Sequence, residues 1–287
     1  MKTPKRLQPL VDDGLIDEVI CQLKSGKEAQ VYLVQCGEEL HCAKVFKEAI
    51  KRSFKQAVQY QEGRKGRNSR RARAMAKRTS YGQKEQESAW LNAEVEALYK
   101  LSAAGVRVPQ PMGFVDGVLL MELISDGEDN AAPRLDEVTL TAETARTFHD
   151  HMLSEIVRML DVGLVHGDLS PFNVLVDSDG PVIIDLPQAV DAAQNNNAAM
   201  MLVRDVDNMR RYFGRFAPEL LETEYGLEIW SLYSRGLLST NARLSGRFDR
   251  SKASVDMGDL LAVIDAAREE ERERLEAEQA WAQGDRD

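Results

Sequence analysis

Hydrophobic and polar positions alternate with a period of two over the beginning of the chain. Three such segments, 19–23, 29–34 and 41–46, follow one another closely, and this period is typical of β-strands. The polar intervals between them, 24–28 and 36–39, are short enough to form hairpin connections. The pattern therefore predicts three consecutive antiparallel strands.

A helix and a second hairpin extend this β-rich region. A stripe of apolar residues at helical spacing predicts a helix that ends near Gly105; its members are Trp90, Leu91, Val95, Leu98 and Leu101. Apolar segments 113–115 and 118–121 then flank Asp116-Gly117, a dipeptide that favours tight turns between strands. Residues 15–124 are thus predicted to form a five-stranded sheet with one helix packed on it.

The remainder of the chain is predicted to be mainly helical. Its first long helix has a buried stripe formed by Ala145, Phe148, Met152, Ile156 and Met159. Two short strands, 174–176 and 182–184, bracket a tight turn, and helices dominate from Met201 onward. We therefore predict a fold of the α+β class, with a β-rich N-terminal lobe over 1–124 and a mainly helical C-terminal lobe over 125–287.

Composition places the chain among globular proteins. Of its 287 residues, 43% are hydrophobic and 29% are charged. Apolar runs are far shorter than a membrane span needs, and the first residues lack the apolar core of a secretion signal. Cys21, Cys36 and Cys42 lie in strand-like segments, which is typical of reduced core thiols. We expect a cytoplasmic protein with no membrane contact.

Charge is distributed unevenly along the chain, although the net charge is −10. The segment 64–84 contains nine lysines and arginines and no acidic residue. It lies within a polar insertion at about 48–88 that we predict to be partly helical and mobile. Two interpretations remain open: a contact with the ribosome, RNA or an acidic partner, or a solvated loop. The residues at about 256–283 are predicted to form an acidic helix.

The strongest chemical signal is the run His166-Gly167-Asp168-Leu169-Ser170-Pro171-Phe172-Asn173, followed by Asp185 at the end of the next predicted strand. Asp168 is placed in a loop where its carboxylate can orient a nucleophilic hydroxyl. Asn173 and Asp185 offer two hard oxygen ligands from adjacent strand ends, which suits Mg²⁺ bound to nucleotide phosphates. The combination predicts a phosphotransferase.

These residues resemble the catalytic and metal-binding loops of the protein-kinase-like superfamily, and further segments resemble the RIO kinases in particular. Segment 25–32, Ser-Gly-Lys-Glu-Ala-Gln-Val-Tyr, resembles their nucleotide loop. Segment 185–190 resembles their metal-binding loop, and 204–209 resembles the helix that follows it. The match runs in order from about residue 15 to about residue 220. It implies a two-lobed protein-kinase-like fold.

The resemblance implies nucleotide-binding roles for residues of the N-terminal lobe. Lys44 would hold the α- and β-phosphates of ATP, and Glu94 would pair with it, with Glu96 as the rival glutamate. The backbone groups of Glu122 and Ile124 would contact the adenine edge. The nucleotide loop would contribute Ser25, Gly26, Lys27, Glu28 and Val31.

The resemblance also implies roles in the C-terminal lobe. Asp168 would be the catalytic base, and Asn173 and Asp185 would bind Mg²⁺, with Mn²⁺ as an alternative. RIO kinases are associated with serine autophosphorylation, with ATP hydrolysis through a phosphoaspartate on the residue matching Asp185, and with small-ribosomal-subunit maturation. We therefore expect a RIO-type serine/threonine protein kinase and/or ATPase with an unknown protein substrate. Its basic segment 64–84 would provide any contact with the ribosome or RNA.

Two features refine the resemblance. Ala217-Pro218-Glu219 matches a motif of ordinary protein kinases, but it follows Asp205, and only 19 residues separate Asp185 from Asp205. That spacing leaves no room for the usual peptide-docking platform. The short segment before the first predicted strand favours the first RIO subfamily over the second, which begins with a winged-helix domain, whereas Leu186-Pro187 departs from the residues usual in the first.

Two alternative functions remain. The first is a small-molecule kinase of the aminoglycoside or choline type. Such kinases also have a His-Gly-Asp motif followed five residues later by an asparagine, but segment 25–32 argues against this alternative. The other alternative is a pseudokinase that docks on RNA or ribonucleoprotein through 64–84. Among the histidines, His166 is expected to support the catalytic loop, and His149 and His151 face different sides of a helix and form no metal pair.

Overall fold

The computed structural model describes residues 2–26, 28–47, 93–128 and 130–252, with a few more between 258 and 269. Its N-terminal lobe contains a five-stranded antiparallel sheet in the order β1-β2-β3-β5-β4. The strands are β1 (Glu18–Ser25), β2 (Ala29–Cys36), β3 (Glu39–Phe46), β4 (Pro111–Val115) and β5 (Val118–Glu122). A short helix, α1 (Gln8–Asp12), precedes the sheet, and helical residues 93–103 (α2) lie between β3 and β4.

The two faces of this sheet are buried against different partners. One face packs under the N-terminal segment, where Leu7, Leu10 and Ile16 contact residues that include Ala43 and Val45. Because side chains alternate along a strand, Lys44 points to the opposite face. That face carries Phe46 and belongs to the large core shared with α2 and the C-terminal lobe. The alternation in β3 therefore directs Lys44 into the space between the lobes.

The C-terminal lobe is built on helices with two small antiparallel ribbons. Its elements are α3 (Ala142–Asp161), β6 (Leu164–Val165), β7 (Val174–Asp177), β8 (Gly180–Ile183), β9 (Val190–Asp191), α4 (Ala198–Gly214) and α5 (Tyr225–Ser234). Strand β6 pairs with β9, and β7 pairs with β8. Helix α3 begins after Thr141, whose hydroxyl oxygen accepts a hydrogen bond from the Thr144 amide at 3.1 Å. The ribbons hold the loops that carry the polar motif residues.

Helix α3 is buried more extensively than its sequence period indicates. The predicted stripe is buried at Ala145, Met152, Ile156 and Met159, and Phe148 is half-buried. Burial extends to a second set of residues, namely His149, Leu153, Glu155, Val157 and Leu160. The helix contacts α4 and α5 as well as β6 and β8. A single apolar stripe predicts only one of these contact faces.

The predicted α+β, two-lobed fold class is confirmed, and each predicted strand is present within two residues of its expected ends. Strands β6 and β9 were not predicted because two residues are too few to establish a period. The predicted insertion at 48–88, together with Trp90 and Leu91, lies outside the described residues, as does most of the predicted helix at 256–283. No helix of the described part of the chain is long and apolar enough to span a bilayer.

His149 is buried among aromatic rings of the C-terminal lobe. Its ring is fully buried, with centroids 5.8 Å from the Phe213 ring and 5.5 Å from the Tyr225 ring. Neither ring nitrogen has a hydrogen-bond partner among the described residues. Burial lowers the pKa of His149 below its ordinary value, although the Asp150 carboxylate opposes that change. The neutral imidazole is therefore the form that the folded state accommodates.

We predict that His149→Phe removes part of the acid sensitivity of folding. The unfolded histidine takes up a proton at higher pH than the folded one. The free energy of unfolding of the wild type is therefore highest above about pH 6.5 and declines as the pH falls below that value. Between pH 7.5 and pH 5.5, urea unfolding should show a greater loss of unfolding free energy in the wild type than in His149→Phe. The exposed His151, changed to Phe, is the control, and equal losses in all three proteins would contradict the account.

Candidate active site

Lys44 lies at the meeting point of three elements. Its Nζ is 2.6 Å from Oε1 of Glu94 on α2 and 3.1 Å from Oδ1 of Asp185 in the loop after β8. The Lys44 and Glu94 side chains are almost fully buried. Burial alone would lower the pKa of Lys44, but the two carboxylates outweigh it and raise the pKa above its ordinary value. Lys44 is therefore held as an ammonium ion between the lobes.

The loop between β1 and β2, which the resemblance assigns to the nucleotide, is closed by backbone bonds and by a lysine that the sequence analysis did not single out. The Gly26 amide donates to the Ala29 carbonyl at 2.9 Å, and the Lys47 amide donates to the Glu28 carbonyl at 2.9 Å. Lys47 Nζ also donates to the Gly26 carbonyl at 2.6 Å. The first residues after β3 thereby hold the loop against the sheet.

Of the other predicted residues of this loop, Val31 lies beside Lys44. Val31 is the cross-strand partner of Lys44, and Ser25 ends β1 opposite Gln30. Directly paired residues in an antiparallel sheet share a face, so the Val31 side chain lies on the same face as the ammonium group. Lys27 lies outside the described residues.

The hinge after β5 engages its side chains within the protein. Both carboxylate oxygens of Glu122 accept bonds from Arg107 at 3.1 Å, and one also accepts the Gln110 amide at 3.0 Å. The Ile124 carbonyl accepts the Ala132 amide at 2.8 Å, and the Ile124 side chain is buried. The Glu122 side chain is therefore occupied by its bonds to Arg107. The sequence analysis assigned the contact with adenine to the backbone groups of Glu122 and Ile124.

The loop that carries Asp168 is held by α4 on both sides of that residue. The buried Asp205 carboxylate accepts the Gly167 amide at 2.7 Å and the Leu169 amide at 3.0 Å. Arg204 donates to the Gly167 carbonyl, and Asn208 Nδ2 donates to the Leu169 carbonyl at 2.9 Å. Burial raises the pKa of Asp205 to about 7, against the effect of these backbone donors. Helix α4 thus fixes the backbone that presents Asp168.

Two further side chains contact the Asp168 loop. His166 Nδ1 accepts the Asp168 amide at 3.3 Å, and Nε2 lies 3.2 Å from the Ile184 carbonyl, which assigns the proton to Nε2. Burial lowers the pKa of His166, in keeping with a neutral ring. Gln188 Nε2 donates to Oδ2 of Asp168 at 3.1 Å, a contact that sequence analysis missed. Burial raises the pKa of Asp168, while Arg204 opposes that rise.

Asn173 and Asp185 are brought to neighbouring positions by the β7–β8 ribbon. The Ile184 amide donates to the Asn173 carbonyl at 3.0 Å, so the residues beyond the two strand ends remain paired. Asn173 Nδ2 donates to the Asp168 carbonyl at 2.9 Å. Asp185 has a φ of +67°, in the left-handed region. Burial would raise its pKa, but the Lys44 charge outweighs that effect and lowers it.

This donor set fits a Mg²⁺-type ion. Once its Nδ2 is bonded to the chain, the Asn173 amide presents its oxygen as the remaining ligand atom, and Asp185 supplies an ionised carboxylate. No group of three or more histidine, cysteine, aspartate or glutamate side chains positioned to hold a metal occurs within the described ranges. Magnesium is commonly bound through one or two carboxylates, nucleotide phosphates and water rather than by an all-protein cage.

The Ala217-Pro218-Glu219 segment lies apart from these loops. It begins a 3₁₀ turn (Pro218–Glu222) that follows α4. Glu219 Oε1 is 2.5 Å from Arg146 Nε on α3, and both side chains are about half exposed. Pro218 and Glu219 are exposed on the C-terminal lobe, whereas Ala217 is fully buried in its core. In the sequence the segment follows α4, whereas the Asp185 loop precedes that helix.

The fold and the site together define a protein-kinase-like phosphotransferase. A lysine–glutamate pair in a β-rich lobe faces an aspartate loop and a second aspartate beyond the next ribbon, which is the arrangement of kinase active sites. A family model described as the RIO domain matches residues 30–225. The chain belongs to the RIO family of serine/threonine-protein kinases, and membership brings with it the use of ATP and a divalent metal ion.

Individual relatives agree with this assignment. The RIO-type serine/threonine-protein kinase Rio1 of Haloferax volcanii is 32% identical over 206 residues, covering 72% of this chain and 67% of the relative. The serine/threonine-protein kinases RIO1 of Chaetomium thermophilum and Homo sapiens are each 30% identical over 226 residues, covering 74% and 77% of this chain. The match spans only 42% and 37% of these two eukaryotic relatives. All three carry the RIO1 name.

We predict that Glu94→Gln lowers kcat/KM for ATP by about 10- to 100-fold. A hydrogen bond between charged groups contributes roughly 1.5–3 kcal/mol, and a change of about 1.4 kcal/mol corresponds to a tenfold change in rate. The glutamine amide oxygen still accepts a hydrogen bond from Lys44, but it carries no charge, so Asp185 would be the one remaining carboxylate that contacts the ammonium group. Glu96→Gln is the matched control, since Glu96 is exposed on the same helix. Steady-state ATP turnover measures both variants, and an equal effect of the two substitutions would contradict the assignment of Glu94.

Proposed function

We propose that this chain transfers the γ-phosphoryl group of ATP to serine or threonine hydroxyls of proteins, itself included, and hydrolyses ATP at the same site. The proposal rests on one observation above all: the Lys44 ammonium group bridges Glu94 and Asp185 beside the Asp168 loop. Family membership favours this activity over that of an aminoglycoside or choline kinase.

Each side chain would contribute positioning or charge, since phosphoryl transfer needs little covalent chemistry from the protein. Lys44, kept protonated and fixed by Glu94, would hold the phosphates nearest the sugar. Asp168 would accept the proton of the attacking hydroxyl, with Gln188 fixing one of its carboxylate oxygens. The Glu122 carbonyl and the Ile124 amide would contact adenine, and the backbone from Ser25 to Glu28, together with Val31, would cover the nucleotide.

Asn173 and Asp185 would hold the metal ion, Mg²⁺ first and Mn²⁺ as an alternative. When bound there, the ion would neutralise charge on the phosphates. The Asp185 carboxylate and the phosphates would compete for the Lys44 ammonium group, so the bond between Asp185 and Lys44 would weaken when the nucleotide binds. The lobes defined at 1–124 and 125–287 would enclose the nucleotide between them.

Asp185 would serve as phosphate acceptor as well as metal ligand. The short interval between Asp185 and Asp205 leaves little chain for a peptide platform, which favours reactions that need no docked peptide. Autophosphorylation on serine and ATP hydrolysis through a phosphoaspartate both meet this condition. They differ in the chemical stability of the phosphorylated product.

We predict that radiolabelled ATP separates the two reactions. Asp168→Asn should lose serine labelling, because no base remains to accept the hydroxyl proton, and Asp185→Asn should lose all labelling. A label that hydroxylamine removes and that depends on Asp185 indicates the phosphoaspartate, whereas an acid-stable label indicates serine. Asp150→Asn on the exposed surface of α3 is the control. Wild-type protein that binds ATP without hydrolysing it or labelling itself would contradict both reactions and favour the docking pseudokinase.

We also propose that the basic segment 64–84 contacts RNA or ribosomal particles. It contains nine cationic residues and no acidic residue, whereas the whole chain has a net charge of −10. Phosphate contacts weaken steeply with salt, so RNA binding should fall between about 50 mM and 200 mM salt and should depend on Arg70, Arg71 and Arg73. Binding that is unchanged after all three are replaced by alanine would contradict this proposal.

A further inference from the structure

Arg107 connects elements of both lobes behind the hinge. Its Nη1 donates to both carboxylate oxygens of Glu122 at 3.1 Å, and its Nη2 donates to Oδ2 of Asp177 at 2.6 Å. Its amide donates to Glu155 Oε2 at 2.8 Å, and its carbonyl accepts the Ile183 amide at 3.0 Å. We call Arg107, Glu122 and Asp177 the hinge clamp.

The N-terminal half of the hinge clamp is the last residue of β5. The Glu122 carboxylate holds the Gln110 amide, and the Glu122 amide donates to the Gln110 carbonyl at 2.9 Å. Both the side chain and the backbone of Glu122 are therefore fixed before the chain enters the hinge. A hinge strand fixed in this way cannot rotate without breaking the bonds to Arg107.

The C-terminal half of the hinge clamp is the turn of the β7–β8 ribbon. Asp177 uses its second oxygen to accept the Asp179 and Gly180 amides at 2.9 and 3.0 Å. Its side chain is 8% exposed, so its bond to Arg107 is well shielded from water. Asn173 and Asp185 lie at the opposite end of this ribbon, about 13 Å away for four strand residues. Movement at the turn is therefore carried to the two proposed metal ligands.

The guanidinium group is suited to this junction for a geometric reason. Its planar fork donates to Glu122 and Asp177 in fixed directions at the same time, whereas a lysine ammonium group is a single point charge on a flexible stem. Arg107 and Glu122 are each about one-third exposed, so water weakens that half of the network. The better-shielded bond to Asp177 carries more of the interaction.

We propose that Arg107 is a positioning residue: through the hinge clamp it fixes the β7–β8 ribbon relative to the hinge, and so aligns Asn173 and Asp185 with a nucleotide held at the hinge. This inference rests on the proposed function for the identity of the ligands. Loss of the clamp affects the alignment of the phosphates more than the binding of the base.

The test compares Arg107→Lys, Arg107→Met and Asp177→Asn with the double variant Arg107→Met/Asp177→Asn. We expect each single variant to lower kcat for ATP turnover about tenfold while KM for ATP changes less than about threefold. The double variant should be no worse than the poorer single variant, because both remove the same interaction. Arg146→Met, which removes the surface pair with Glu219, is the control.

A second measurement needs no turnover. In the ligand-free protein, hydrogen exchange of the β7–β8 amides and of the hinge amides should accelerate together in Arg107→Met and stay unchanged in Arg146→Met. A normal kcat in the Arg107 variants would overturn the inference even if their melting temperature fell. If the wild type is inactive, the proposed function fails, and hydrogen exchange alone then tests the inference. Faster exchange in Arg107→Met that is confined to one lobe would overturn it.

Discussion

The site depends on one ammonium group shared by two carboxylates. A buried charge must be paired, and removing one partner of a buried pair is far more destabilising than the pair itself is stabilising. Lys44 meets this requirement with Glu94 from the helix of its own lobe and Asp185 from the other lobe. Because the three groups belong to three elements, their pairing fixes a strand, a helix and a loop at one point.

Other contacts of the C-terminal lobe hold the loops of Asp168 and Asp185 in place. Asp205 holds the backbone on both sides of Asp168, and His166 joins that loop to Ile184, the residue before Asp185. Arg107 extends the same principle to the hinge. In each case a polar side chain bonds to groups distant in sequence, so the positions of Asp168 and Asp185 are set by a network of bonds and not only by their own loops.

The sequence predicted the fold where the period was clear. The pattern over 41–46 predicted strand β3, and the structure then places Ala43 and Val45 on one face and Lys44 on the other. The choice of Glu94 over Glu96 depended on a family resemblance, and the geometry now brings Glu94 to the lysine. The motif spacing likewise placed Asn173 and Asp185 at neighbouring strand ends.

The contacts of Gln188, Lys47 and Arg107 could not be predicted in this way. Each joins residues far apart in sequence through a side-chain direction set by turns, such as the Gly26 loop for Lys47. No local period or propensity carries that information. The two-residue strands were missed for a related reason, since their pairing is fixed by tertiary contacts and not by alternation.

The central claim is that Lys44, Asn173 and Asp185 surround the phosphates of a metal-bound nucleotide. The most direct test is a crystal structure with Mn²⁺ and a non-hydrolysable ATP analogue, using the anomalous signal of manganese to locate the ion. We predict a manganese peak bound by the side-chain oxygens of Asn173 and Asp185, with Lys44 Nζ in hydrogen-bond distance of a phosphate oxygen. A nucleotide bound elsewhere, or a manganese peak away from both side chains, would contradict the account.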